Sequence, residues 1–154
     1  MDSLKYLHNG KNDWGSSDDI NAALRQKVVS ALYKEYSQDH KAIIRFLTIE
    51  EIQYCRVETM MTDVLRQLTF VLYDLADIED VPLLYEAKLN TSFDSLCSLD
   101  IELLIGKEPQ KIKDYFLLNK HPIYDITQYI IDNENNEVES PTDFIKNIRR
   151  RYLN

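Results

Sequence analysis

Turn-forming residues are scarce in this 154-residue chain, which holds three glycines and four prolines. Tight β-hairpins draw on those residues, so their scarcity speaks against an antiparallel sheet and for helices joined by few sharp reversals. The two cysteines, Cys55 and Cys97, are too few for a disulfide framework and form no CxxC pair. Both fall within apolar helical patterns, which predicts reduced, buried thiols. No apolar run approaches the ~20 residues that span a bilayer. The opening MDSLKYLHNGKNDWGSS offers neither a basic nor an apolar leader segment. A cytoplasmic protein without a membrane partner is the expectation. Hydrophobic residues at 44% and charged residues at 29% still provide enough apolar surface for one folded domain.

Most signals of catalysis are missing as well. No GxGxxG or GxxxxGK[ST] run is present, which removes the glycine-lined loops that let backbone amides approach phosphates. No GxSxG elbow is present, and neither cysteine neighbours a histidine in sequence. Helix-borne metal sites place donors one turn apart, yet none of His8, His40 and His121 follows an acid by three residues. Asp39-His40 reverses the order of a metal-dependent phosphohydrolase pair. The acids Asp74, Asp77, Glu79 and Asp80 lack the central glycine and alternating oxygen ligands of a calcium loop. Glu51 and Glu58, two turns apart, read as a capping and a solvated acid and not as an acid/base pair. No catalytic residue, metal ligand or cofactor is therefore assigned, and the chain is not expected to be an enzyme.

What is there is helical periodicity, and the expected class is all-α, a single domain of about seven helices around a long central one. Residues 1–17 read as a loosely ordered arm that Leu4, Tyr6, Leu7 and Trp14 are able to dock, and residues 18–154 as the domain. Asp18 or Asp19 caps a first helix to about Gln38, with a stripe of Ile20, Ala23, Leu24, Val28, Ala31, Leu32 and Tyr36. A short helix from His40 to Leu47 follows. Thr48 and Glu51 form a capping box that opens the longest helix, to about Ile78, apolar over much of its girth and so central. Pro82 starts a short helix to Leu89, and Thr91 or Ser92 starts another that Gly106 stops. Pro109 and Pro122 open two more. The second of these contains TQYII, which has strand character in isolation. After a polar loop over 132–139, Ser140, Pro141 and Asp143 begin a last helix from Thr142 to about Tyr152.

The strongest feature is charge. The chain carries 26 acids and 18 bases, a net of −8. Between Asp74 and Glu102 lie eight acids and one base, Lys88, which leaves a net of only −1 for all the rest. Such a local field points to a basic partner, whose encounter it would steer. The basic cluster Lys146, Arg149, Arg150 and Arg151 lies where cations complement a helix C-terminus, and the overall charge would repel a duplex, so nucleic acid is not an expected ligand. Ten tyrosines supply anchors with large contact area and little entropy loss. The candidate partner-binding residues are Tyr73, Asp74, Asp77, Glu79, Asp80, Tyr85 and Glu86, with Asp132, Glu134, Glu137 and Glu139 from the late loop. Together they suggest a small acidic binding protein that neutralises a basic protein, most concretely an immunity- or antitoxin-like inhibitor of a nuclease toxin or other nucleic-acid enzyme. A helical adaptor or regulatory protein, homo-oligomeric or not, and an enzyme with an unrecognised site are the alternatives.

Overall fold

The run AALRQKVVSAL contains no helix breaker and forms α1 (Ala22–Leu32). The structure, a computed structural model, describes residues 3–9, 19–133 and 139–152. Trp14, Asp18 and the candidate acids Glu134 and Glu137 lie outside the described residues. Among the described residues the structure is 75% helix with no strand, and eight α-helices build one domain. The expected all-α class is therefore present, and TQYII lies inside α7 (Tyr124–Asn133).

The longest expected helix is two helices. α2 (Lys41–Glu58) buries Ile44, Leu47, Thr48, Glu51, Ile52 and Cys55, one face at helical spacing. It ends where Thr59 takes a left-handed conformation at φ 56°. Thr62 then caps α3 (Asp63–Leu75) by accepting the Leu65 amide at 3.0 Å. The expected capping box at Thr48 is a mid-helix position: its hydroxyl donates to the Ile44 carbonyl at 2.8 Å. The expected short helix from His40 is the start of α2, preceded by a 3-10 turn, Gln38–His40. α3 is buried on nearly every side, through Leu65, Leu68, Phe70, Val71, Leu72 and Tyr73, and is the true central helix.

A 3-10 turn, Ile78–Asp80, leads into α4 (Val81–Leu89), with Pro82 in its first turn. Ser92 caps the short α5 (Phe93–Ser98), and a 3-10 segment, Ile101–Leu104, replaces the expected continuation to Gly106. Gly106, at φ 58°, reverses the chain into α6 (Pro109–Leu118). A Cβ there would overlap the tip of Ile112 and meet Val81 Cγ2 at 3.3 Å, so glycine serves both the turn and the close approach. α6 packs on α7, and α8 (Pro141–Tyr152) returns to the centre of the molecule.

The main core joins α1 to α4 with Leu99, Leu103 and, from α8, Phe144 and Ile148. Two satellite cores hold the α6–α7 end: Val81, Ile112, Phe116 and Ile123 in one, and Leu104, Ile105 and Ile130 in the other. Two sequence expectations change here. Ile20 is exposed, and Val29 and Tyr33 take the buried face of α1. Cys55 is buried, but Cys97 is exposed because the short α5 turns it outward.

Candidate functional site

The compact part of the acidic window is a turn that the fold neutralises from within. Asp80 is fully buried at the start of α4, where it accepts the Asp77 amide at 2.8 Å. Its carboxylate also takes Lys41 Nζ at 2.7 Å and the Arg45 guanidinium, both from α2. Lys41 reaches Asp77 as well, at 2.5 Å, and this ammonium holds the Asp77 carboxyl below its ordinary range. Only Asp77 and Glu79 of this turn face outward. The expectation that Asp80 meets a partner is corrected by its burial, since a carboxylate already holding two cations stabilises the turn. Tyr73 is the second correction. It is 1% exposed, its ring meets Phe144 edge-on at 4.9 Å, and its hydroxyl donates to the Gly106 carbonyl at 3.3 Å. Burial pushes this phenol up, helped by the Glu102 and Asp74 charges.

Asp74, Glu86, Asp132 and Glu139 are also engaged. Asp74 accepts Tyr36 Oη and Arg149 Nη2, each at 2.6 Å, so α8 is fastened to α3 by a charge-assisted clamp. Glu86 takes Arg56 at 2.5 Å and the Asn90 amide at 2.9 Å. Asp132 meets Lys113 at 3.2 Å and Gln128 at 2.6 Å, which together hold its carboxyl below the usual value. The Glu139 amide donates to Glu102 Oε1 at 3.1 Å, while its carboxylate accepts Asn147. Lys88, the single base of the window, is buried and donates to the Leu96 and Leu99 carbonyls at 2.8 and 2.5 Å, closing the end of α5. Burial drives its pKa down, against the pull of Asp100, Cys97 and Glu102.

The densest charged constellation was not foreseen. Arg25 is fully buried and donates to Asp19 Oδ2 at 2.7 Å and to Glu51 Oε2 at 2.9 Å. Thr62 donates to the other oxygen of Glu51 at 2.6 Å, and His8 Nδ1 lies 3.0 Å from Asp19. Burial works to raise the Asp19 carboxyl, but bonds from Arg25, His8 and the Asn21 amide outweigh it and hold the group below its ordinary value. Arg25 also meets the Tyr6 carbonyl at 3.4 Å, and Asn21 donates to Leu7 at 2.8 Å. Residues 3–9 of the expected loose arm are thereby docked. The signal was present in the sequence, because Arg25 and Glu51 each interrupt an apolar helix stripe. Arg25, Asp19 and Glu51 are buried, so the cluster fixes α1 against α2.

Two open clefts are better placed to bind. One, of about 210 Å³, lies between Tyr33 just after α1, Phe70 and Thr69 of α3, Leu99, Leu103 of the 3-10 segment and Ile148 of α8, and Asp63, Arg66, Gln67 and Asp100 also line it. The other, of about 320 Å³, brings the candidates Tyr85 and Glu86 together with Pro82, Asn90, His121 and Pro122. Among the described residues no group of three or more histidines, cysteines and acids is placed to hold a metal ion, and no helix is long and apolar enough to cross a membrane. No known family model, curated protein or solved structure matches the chain.

Proposed function

We propose that this chain is a cytoplasmic, non-enzymatic binding protein that neutralises a basic protein partner. The most concrete form is an immunity- or antitoxin-like inhibitor of a nuclease toxin or another nucleic-acid enzyme. One observation carries the reading: at least nine of the 18 bases are engaged within the fold. Arg25, Lys41, Arg45, Arg56, Arg66, Lys111, Lys113 and Arg149 are all paired with internal carboxylates, and Lys88 with carbonyls. Paired charges cancel at a distance, so a chain with eight surplus acids presents its negative field through exposed groups such as Glu79, Asp94 and Asp125. The mechanism is occlusion, in which carboxylates meet the cations that would grip phosphates and aromatic groups fill the dry centre of the contact.

Co-expression with each neighbouring gene product of the source genome tests this directly. A product that is toxic alone, tolerated beside this chain, and bound by it with a Kd that weakens steeply with salt is the expected result. A tight partner whose binding ignores salt would remove electrostatics from the reading. A homo-oligomeric adaptor is the second reading, favoured by the exposure of Leu117 and Leu118 at the end of α6 and Ile126 on α7. Sedimentation velocity separates the two, since a stable dimer lost on Leu118→Asp would support the adaptor.

A further inference from the structure

The 210 Å³ cleft has a dry floor. Tyr33, Phe70, Leu99, Leu103 and Ile148 line it, and none of them is more than 5% exposed. They come from four separate parts of the chain, so tertiary packing shapes the hole and no single helix face does. In the larger 320 Å³ cleft, by contrast, Ile123 is the one buried apolar residue of the lining. A cavity of about 150 Å³ lined by Leu, Ile and Phe holds benzene, so 210 Å³ leaves room for a second fused ring. It stays short of the ~300 Å³ at which sites for cofactors and drug-sized molecules begin.

The walls favour an aromatic occupant. The Tyr33 and Phe70 rings meet edge-on at 5.9 Å with 72° between their planes, and Tyr36 meets Phe70 at 6.5 Å. A flat ring placed against Tyr33 and Phe70 extends this set of ring contacts, which stabilise beyond the area they bury.

The rim favours a neutral one. Asp63 and Arg66 are paired with each other at 2.6 Å, and Asp100 is engaged within the fold, where its charge acts on buried Lys88. The Thr69 hydroxyl donates to the Arg66 carbonyl at 3.0 Å. A charged ligand would therefore lose its hydration without gaining an uncompensated opposite charge. Gln67 differs from these neighbours. It is half-buried in the cleft, and its amide, with donors and an acceptor, is bonded to none of the described residues.

We infer that this cleft is a binding site for a small neutral aromatic molecule of about indole size, whose one hydrogen-bonding group meets the Gln67 amide. Such a ligand touches α3 and Ile148 of α8 together, so occupancy ties the end of the chain to its centre. The site goes beyond the basic-partner reading and does not depend on it.

Indole is the probe, titrated into the full chain and followed by methyl NMR. The expected result is a Kd below about 1 mM, unaffected by salt, with shifts and ring-to-methyl Overhauser contacts at Leu99, Leu103 and Ile148. The thermal midpoint should rise with indole concentration. Tryptamine and indole-3-acetate, which add a charge of either sign, should each bind at least about tenfold more weakly. Cyclohexanol, the aliphatic control, should bind several-fold more weakly. Gln67→Met should weaken indole several-fold and leave indene, the same shape without the N–H, unchanged, a split that general damage to the fold would not produce. Absence of shifts up to the solubility limit of indole overturns the site, as do shifts centred on the Tyr85 cleft. Equal binding of the charged or aliphatic molecules overturns the ligand class, and equal losses for indole and indene in Gln67→Met overturn the part given to Gln67. Each of these failures leaves the basic-partner reading to its own co-expression and salt tests.

Discussion

Arg25 is the residue on which the arrangement of α1 and α2 most depends, because it is fully buried between two carboxylates. Arg25→Met leaves Asp19 and Glu51 without their cation, and breaking such a pair by removing one partner costs about 3–5 kcal/mol. Chemical denaturation is the measurement. Adding Glu51→Gln should recover part of the loss, as a non-additive double-mutant cycle. A loss below about 1 kcal/mol for the single change would mean that water compensates the charge. Thr127 predicts the opposite sign. Its hydroxyl is buried in α7 with no hydrogen-bond partner among the described residues, so Thr127→Val removes an unsatisfied group and keeps the shape. The expected outcome is a gain of up to about 1 kcal/mol in denaturant unfolding, and a loss of that size would reveal a hidden partner.

Single elements were legible where a cap or proline marks them. Pro82, Ser92, Pro109 and Pro141 each stand at a helix start, as expected from the sequence. The break between α2 and α3 was not legible. Val57, Met60 and Met61 continue the apolar pattern across it, and a threonine at φ 56° has no strong sequence signature. Its cause is tertiary, since Thr62 both caps α3 and donates to buried Glu51. Gly106 shows the reverse case: the helix expected to reach it ends at Ser98, and the glycine instead follows a 3-10 segment and turns the chain into α6. Gly106→Ala would impose left-handed strain and force Ile112 to shift, for an expected loss of about 2–3 kcal/mol. Thermal unfolding measures it. Trimming the neighbour in Gly106→Ala/Ile112→Val should relieve the overlap but not the backbone strain, so full recovery would refute the conformational half of the account.

At the scale of the whole molecule, the sequence located the negative charge but not its cancellation. Partners such as Arg149 and Asp74 are 75 residues apart, and no periodicity links them. Those pairings give stability a pH dependence with a definite sign. Asp19, Asp77 and Asp132 titrate below their ordinary value in the fold, so their contribution is complete above about pH 4 and is lost as pH falls through the folded values. At the alkaline end, burial and the Asp74 carboxylate push Tyr36 up to about 12, from an ordinary 10. Its contribution is present below pH 10 and lost between 10 and 12. Circular dichroism melts across pH should therefore fall on both sides, and Tyr36→Phe should flatten only the alkaline side. Sequence separation also orders the events of folding. α2 and α3 close across the short link at Thr59–Thr62, so their pairing loses little chain entropy and is expected to form early. α8 must find Tyr36 across 113 residues, a late and slow contact. Because Ile148 of α8 lines the 210 Å³ cleft, that wall is expected to be built last, and the cleft to be complete only in chains that have finished folding.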